Sequence, residues 1–494
     1  MSRVNSQSSL TERVLRGMGW VSASKIIAQA LTLGKVVILA RLLSKADFGL
    51  YGLVLLSIAT LQTFSRTGFD KALVQRRGDI KPYLDTAWTV QIIRGILLAL
   101  ILFTAAPVIG WFFNEIRVVS LLRVMCISVV LGGCENVGVV FFQREFKFRR
   151  NFVYDVGSAL VSLVVGVAFA LQLHSAWALI WAGMAGAVTR VILSYVLLEY
   201  RPSFRLHKEE AVELFEYGRW VLAYTVILFL ATQGDDAFLG KLLGASALGV
   251  YQVAYRLSNM PATEITHVTN AVMFPAYAEI QDEKERLRRA FLSVFEIIMT
   301  LSLPLTVFLI AAAPEIITGL LGAKWEAAIV PLQLLTLAGF LRSVAAVGGA
   351  VFTGTGKPQL DFWMNFWRVL VMALIIYPLT MLFGVAGTSL AVVLGMLATV
   401  PQWSKVLGIT GVSCAELLKA SWPGVMLALL VPIAVWAARL LPGVSVQMLL
   451  LKEVFAATVL CGATAWLVWS LFRKGPFVQV SRAVAALTKV RTPA

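Results

Sequence analysis

The chain has 494 residues, is 59% hydrophobic and 14% charged, and has a mean hydropathy of +0.81. A soluble domain does not carry that balance, so the protein is read as integral to a membrane. The net charge of +16 is dispersed over many short segments, which argues against a nucleic-acid surface.

Apolar runs of about 20 residues, the length that crosses a bilayer, recur along the whole chain. In chain order, fourteen spans are predicted near 17–42, 48–67, 86–111, 118–142, 152–173, 176–199, 218–242, 249–276, 290–313, 327–352, 363–384, 386–404, 422–441 and 454–472. The polar N-terminus and the long, rather polar first run do not read as a cleavable signal peptide. Cys126, Cys134, Cys414 and Cys461 show no paired spacing and are read as packing residues, with no metal or disulfide signal. His174, His207 and His267 form no spacing pattern either.

Lys and Arg set the orientation. With both termini in the cytoplasm, the inside segments hold twenty-eight basic residues and the outside segments six: Lys45, Arg117, Lys241, Lys324, Arg439 and Lys452. One missed or invented span would reverse the alternation downstream, so the asymmetry also checks the span count.

The chain repeats itself. Ala40–Tyr51 recurs at 240–251, with Arg41, Leu42, Leu43, Gly49 and Tyr51 opposite Lys241, Leu242, Leu243, Gly249 and Tyr251. Trp20, Thr32 and Gly34 match Trp220, Thr232 and Gly234; Gly138, Phe142, Lys147 and Phe152 match Gly348, Phe352, Lys357 and Phe362. Six spans separate equivalent points, an even number, so both copies have the same topology. The expected fold is all-α and integral to the membrane. About 14 transmembrane helices form two six-helix lobes related by a pseudo-two-fold along the membrane normal, plus a C-terminal pair. The predicted divisions are 1–206, 207–410 and 411–494, with the functional site in the cleft between the lobes.

Charge inside a span is costly and usually faces a cavity or a partner. Ser22, Lys25, Gln29 and Thr32 are spaced as one helix face, with Lys35 at its edge. In the second copy Thr225, Thr232 and Asp236 share the matching face. Two readings follow: a substrate path, or hydrogen bonds between lobes. Candidate substrate-binding residues are Lys25, Gln29, Arg41, Arg94, Arg123, Thr225, Arg256 and Arg368; Arg41, near a span end, is also open to snorkelling. Arg190, open to snorkelling like Arg41, and Arg342 are further intramembrane cations. An excess of cations favours an anionic substrate, and Arg suits phosphate. Asp235, Asp236 and Glu264 are candidates for coupling-ion binding or gating; Asp235 and Asp236 equally suit pairing with Lys25 or Arg256. Tyr51, Tyr251 and Tyr255 are expected in an interfacial aromatic belt.

Ala40-Arg41-Leu42-Leu43 with Asp47-Phe48-Gly49-Leu50-Tyr51 resembles the first loop of bacterial polysaccharide-transport flippases, members of the multidrug/oligosaccharidyl-lipid/polysaccharide (MOP) exporter superfamily. Gly68–Arg76, Asp236 with Gly240–Gly244, Leu248–Tyr251 and Phe274-Pro275-Ala276-Tyr277 resemble further stretches of that family. The resemblance spans roughly residues 14–410. It implies a transporter that flips a polyprenyl-diphosphate-linked oligosaccharide to the outer leaflet of a bacterial inner membrane by alternating access, for exopolysaccharide, capsule or O-antigen synthesis. The implied partners are that substrate, membrane lipids, and polysaccharide polymerase and export machinery, with no nucleic acid. No cofactor is expected beyond a coupling proton or sodium ion, and the chain is expected to act as a monomer. The alternatives are a cation-coupled multidrug exporter, a peptidoglycan-precursor flippase, and a membrane polymerase or glycosyltransferase. The enzyme reading lacks paired acids or a metal site on its outer loops.

Overall fold

The computed structural model describes residues 24–65, 81–144, 148–205, 229–230, 232–259, 273, 276–440 and 446–472. Every regular element among them is helical. Among the described residues, ten segments are long and apolar enough to cross a membrane. They part into two compact units, Met1–Gly249 and Val250–Ala494.

In unit 1, α1 covers residues 24–42. It is followed by α2 (Lys45–Phe64), α3 (Lys81–Phe112), α4 (Arg117–Cys134), α5 (Phe148–Leu173) and α6 (Trp177–Val196). The helical segment Thr232–Asn259 is interrupted at Gly244 (φ 77°), giving α7 before it and α8 after it. Helices α3 and α4 pack as a pair, as do α5 and α6, and α4 also packs on α2 and α6. The core between them is built from Leu50, Leu53, Val54, Leu102, Leu122 and Ile180, with Leu248 from α8.

The motif at the start of α2 has a local explanation. Ser44 caps the helix: its hydroxyl accepts from the Asp47 amide at 3.2 Å, while the Asp47 carboxylate accepts from the Ser44 amide at 2.9 Å. This reciprocal box satisfies two otherwise orphaned donors. The other Asp47 oxygen accepts the Ala176 amide at 2.8 Å, which ties the start of α2 to the start of α6. Gly49 is required by proximity. A Cβ there would overlap the Ala245 carbonyl and lie 2.9 Å from its Cα. On α8, a Cβ on Gly249 would overlap the Lys45 carbonyl and lie 2.9 Å from the Gly49 amide nitrogen. At the repeat offset of 200 residues, Lys45 is equivalent to Ala245 and Gly49 to Gly249. The contact is therefore reciprocal, each copy offering its glycine to the other's backbone.

Unit 2 holds the rest of α8, then α9 (Lys284–Ala311), α10 (Ile329–Gly354) and the helical segment Pro358–Leu397, broken at Gly384 (φ 57°, ψ −133°) into α11 and α12. Thr380 and Thr388 hydroxyls meet at 2.8 Å across that break. Eight residues along a straight helix span about 12 Å, so α11 and α12 fold back as a hairpin. Next come α13 (Trp403–Thr410), α14 (Cys414–Arg439) and α15 (Val446–Phe472). Helix α14 packs on α9 and α15, and α10 on α9 and the α11–α12 hairpin. Phe291, Ile298, Val347, Val351, Phe352 and Val406 form the core. A partly exposed ion network fastens α15: Arg439 donates to Glu315 at 2.9 Å and to the fully buried Glu453 at 3.2 Å.

Candidate functional site

Thr225 and Glu264 lie outside the described residues.

The polar face of α1 meets α5. Lys35 Nζ donates to Ser162 Oγ at 2.9 Å. One end of the same face carries Lys25, exposed, whose charge acts on Asp155 of α5. Asp155 also accepts from Asn151 at 2.8 Å and from Arg190 of α6 at 3.4 Å. The Arg190 guanidinium lies 5.2 Å from the centre of the Tyr154 ring. Lys25, Arg190 and Asp155 thus form a cluster of two cations and one carboxylate. Gln29 sits half-buried on the same face.

Asn151, Asp155, Ser158 and Ser162 are spaced 4, 3 and 4 apart, a second polar stripe that faces the first. The same periodicity that marks α1 marks α5, a signal present in the sequence.

The remaining unit 1 candidates stand apart from that cluster. Arg94 Nε donates to Ser65 Oγ at the C-cap of α2, at 3.2 Å. Arg123 lies over the half-exposed Phe103 ring at 5.0 Å, on the outer surface of α3 and α4. Arg41 is exposed at the end of α1. Asp235 and Asp236 are buried in α7, and the Asp236 amide donates to Asp235 Oδ1 at 3.1 Å.

In unit 2, Arg368 is buried in α11 at 6% exposure, and Arg256 is exposed on α8. Arg342 of α10, not among the predicted binding residues, is held by polar groups and a ring face. It donates to Tyr255 Oη at 3.1 Å and to Asn259 Oδ1, with its guanidinium 5.6 Å from the Tyr255 ring centre. Tyr255 in turn stacks on Tyr251 at 6.1 Å. Tyr251 is fully buried, so it does not stand in an interfacial belt as expected. The repeat places an aromatic ring there, but only packing shows which way it points.

Each unit holds cations, some balanced by carboxylates and some by ring faces and amide oxygens. Such groups bind phosphate oxygens without covalent chemistry.

The model of the polysaccharide biosynthesis protein family matches residues 38–330. Among curated relatives, the lipopolysaccharide biosynthesis protein WzxC of Escherichia coli is 25% identical over 79% of each chain. The succinoglycan biosynthesis transport protein ExoT of Rhizobium meliloti is 24% identical over 71% of each. Among solved structures, the lipid II flippase MurJ in an inward closed conformation is similar with a TM-score of 0.71 at 13% identity, over 92% of this chain and 99% of that one. An inward-facing multidrug resistance transporter of the MATE family and MOP superfamily gives 0.62 at 18%, over 78% and 96%. At those identities the structural likeness establishes the fold. With more than half of its length matched, the chain belongs to the polysaccharide biosynthesis protein family, on the MOP-superfamily fold that its first-loop motif suggested.

Proposed function

We propose that the protein flips a polyprenyl-diphosphate-linked oligosaccharide from the cytoplasmic to the outer leaflet of a bacterial inner membrane, for the assembly of a cell-surface polysaccharide. The observation that carries this reading is a multi-pass chain of a polysaccharide biosynthesis family with basic side chains set within its spans, Arg190 in one unit and Arg342 and Arg368 in the other. A cation held inside an apolar span needs a reason, and a diphosphate supplies one. The polyprenyl tail stays in lipid, so the protein has only to carry the charged head and glycan. Alternating access does this when the two states bind the head with different affinity. Lys25, Gln29, Arg94, Thr225, Arg256 and Arg368 are assigned to the substrate path, with Arg41 and Arg123 at its margins. Asp235, Asp236 and Glu264 are assigned to a coupling proton or sodium ion. Both termini lie in the cytoplasm, and 1–206, 207–410 and 411–494 are the functional divisions. Polymerase and export machinery take up the flipped product.

The test is flipping of a labelled polyprenyl-diphosphate oligosaccharide in proteoliposomes, with Lys25→Gln, Arg256→Gln and Arg368→Gln compared with wild type at matched protein level. The expected result is wild-type transport and a loss of at least about tenfold in the variants, the worth of one charge-assisted contact. If wild-type protein moves no such lipid but exports cationic dyes along a proton gradient, the drug-exporter reading replaces this one.

A further inference from the structure

Unit 2 carries a basin of about 580 Å³ between the start of α9, the α10–α11 turn and α13. Its lining includes Lys284, Lys357, Lys405, Thr355 and one acid, Asp282. Three cations against one carboxylate leave the basin positive. The acids that follow Asp282 do not correct this. Glu283 is engaged by Arg286 at 2.6 Å, and Glu285 by Arg288 at 3.3 Å. Among the described residues, none of the three lysines makes an ion pair.

The turn sets the geometry. Gly356 takes φ 71°, which lets the chain leave α10 and enter α11 with Lys357 at the N-cap position. Lys357 is then at the positive end of α11, and the helix dipole adds to the charge of its ammonium group.

The basin also lies at a definite depth. Leu360 lines it, and Phe362, Trp363, Phe366 and Trp367 follow on one face of α11, between 37% and 47% exposed. Their rings contact one another edge-on or stacked. Clustered, exposed aromatic rings at the end of a span mark the membrane interface. Phe362 and Trp363 are five and six residues past Lys357, or about 8 Å along the helix. That offset puts the lysines at headgroup level when the rings sit at the edge of the hydrocarbon.

We infer that this basin binds the phosphate of an anionic phospholipid headgroup, with the acyl chains running down the aromatic face of α11. The chemistry is that of a phosphodiester monoanion held by ammonium groups and the Thr355 hydroxyl. A soluble phosphate would use the same donors, but it would have no use for the aromatic face. The inference rests on the membrane reading alone and is independent of what the protein transports.

The test uses the purified full-length protein, titrated with phosphatidylglycerol or phosphatidylcholine of matched acyl chains, with retained lipids counted by native mass spectrometry. Wild type is expected to retain the first phosphatidylglycerol about tenfold more tightly than phosphatidylcholine, the scale set by juxtamembrane lysines. Lys284→Gln/Lys357→Gln/Lys405→Gln is expected to lose that preference. Arg149→Gln/Arg201→Gln/Lys419→Gln removes as many exposed charges from outside the basin and is expected to keep it. Retention of the preference by the lysine variant overturns the inference, and so does an equal loss in the control. Inorganic pyrophosphate, added to protein in neutral detergent, separates the two sources. If it raises the wild-type unfolding temperature while phosphatidylglycerol is not preferred, the ligand is a soluble phosphate and the lipid assignment fails.

Discussion

Replacing Gly49 by Ala adds one methyl group where there is no room for it. The new Cβ would overlap the Ala245 carbonyl and lie 2.9 Å from the Ala245 Cα. Carbon atoms pack best at about 3.5–4.0 Å, so α2 and α8 must separate by at least about 1 Å. A gap of that size forfeits roughly a quarter to a half of the attraction across it. The surfaces that separate are buried, with Leu53 and Leu248 both at 0% exposure. Overpacking of this kind costs about 1–3 kcal/mol, and the backbone overlap puts Gly49→Ala toward the upper end. Gly249→Ala meets Lys45 and Gly49 in the same way and is expected to cost as much. The reciprocal geometry makes a sharper claim. Once the helices have moved apart for one methyl, the second fits at little further cost. The double variant should therefore fall short of additivity by about 1 kcal/mol or more, within the range seen for residues in contact. Gly132→Ala is the control: its Cβ has nothing within 4 Å, so it should be neutral or stabilising by up to about 1 kcal/mol. The assay is unfolding in detergent, followed by urea titration or by loss of the monodisperse peak on heating. Neutral single variants, or a strictly additive pair, would refute the reasoning.

Other outcomes follow from particular contacts. Ser44→Ala should destabilise by about 1 kcal/mol through the lost cap, and Asp47→Ala by more, since it also frees the Ala176 amide; urea titration of both variants checks the order. Arg439→Met leaves the fully buried Glu453 without its half-exposed cation and should cost about 1–3 kcal/mol, the scale for a buried polar group that loses its partner. Arg439→Met/Glu453→Met should recover much of that loss, and a double variant as unstable as the single would count against the ion network. Outside the spans, two hydrogen bonds from Arg117 at 2.8 Å hold the Glu115 carboxyl below the ordinary carboxylate range. A lowered folded pKa gives stability that is present above the unfolded value and is lost as pH falls through the folded one. Unfolding temperatures measured from neutral into acid pH should drop less in Glu115→Gln than in wild type over that window.

Membrane character, the helical class and the family motif were legible in the sequence, because hydropathy, basic-residue bias and short-range spacing are properties of the chain read in one dimension. Gly49 and Gly249 were visible as repeat partners, and Asp47 as part of a motif. Their tasks were not visible, because close backbone approach and a link from Asp47 to the Ala176 amide join residues far apart in the chain. The polar stripe of α1 was read correctly as a stripe. That it meets Ser162 and Asp155 of α5 depended on which helices pack together. Tyr251 shows the same limit: an aromatic ring near a span end suits lipid and core alike, and only tertiary packing put it fully inside. Sequence alone determined what kind of solvent each segment prefers. Tertiary structure decided which polar groups find one another, since a buried charge is satisfied by whichever element arrives beside it.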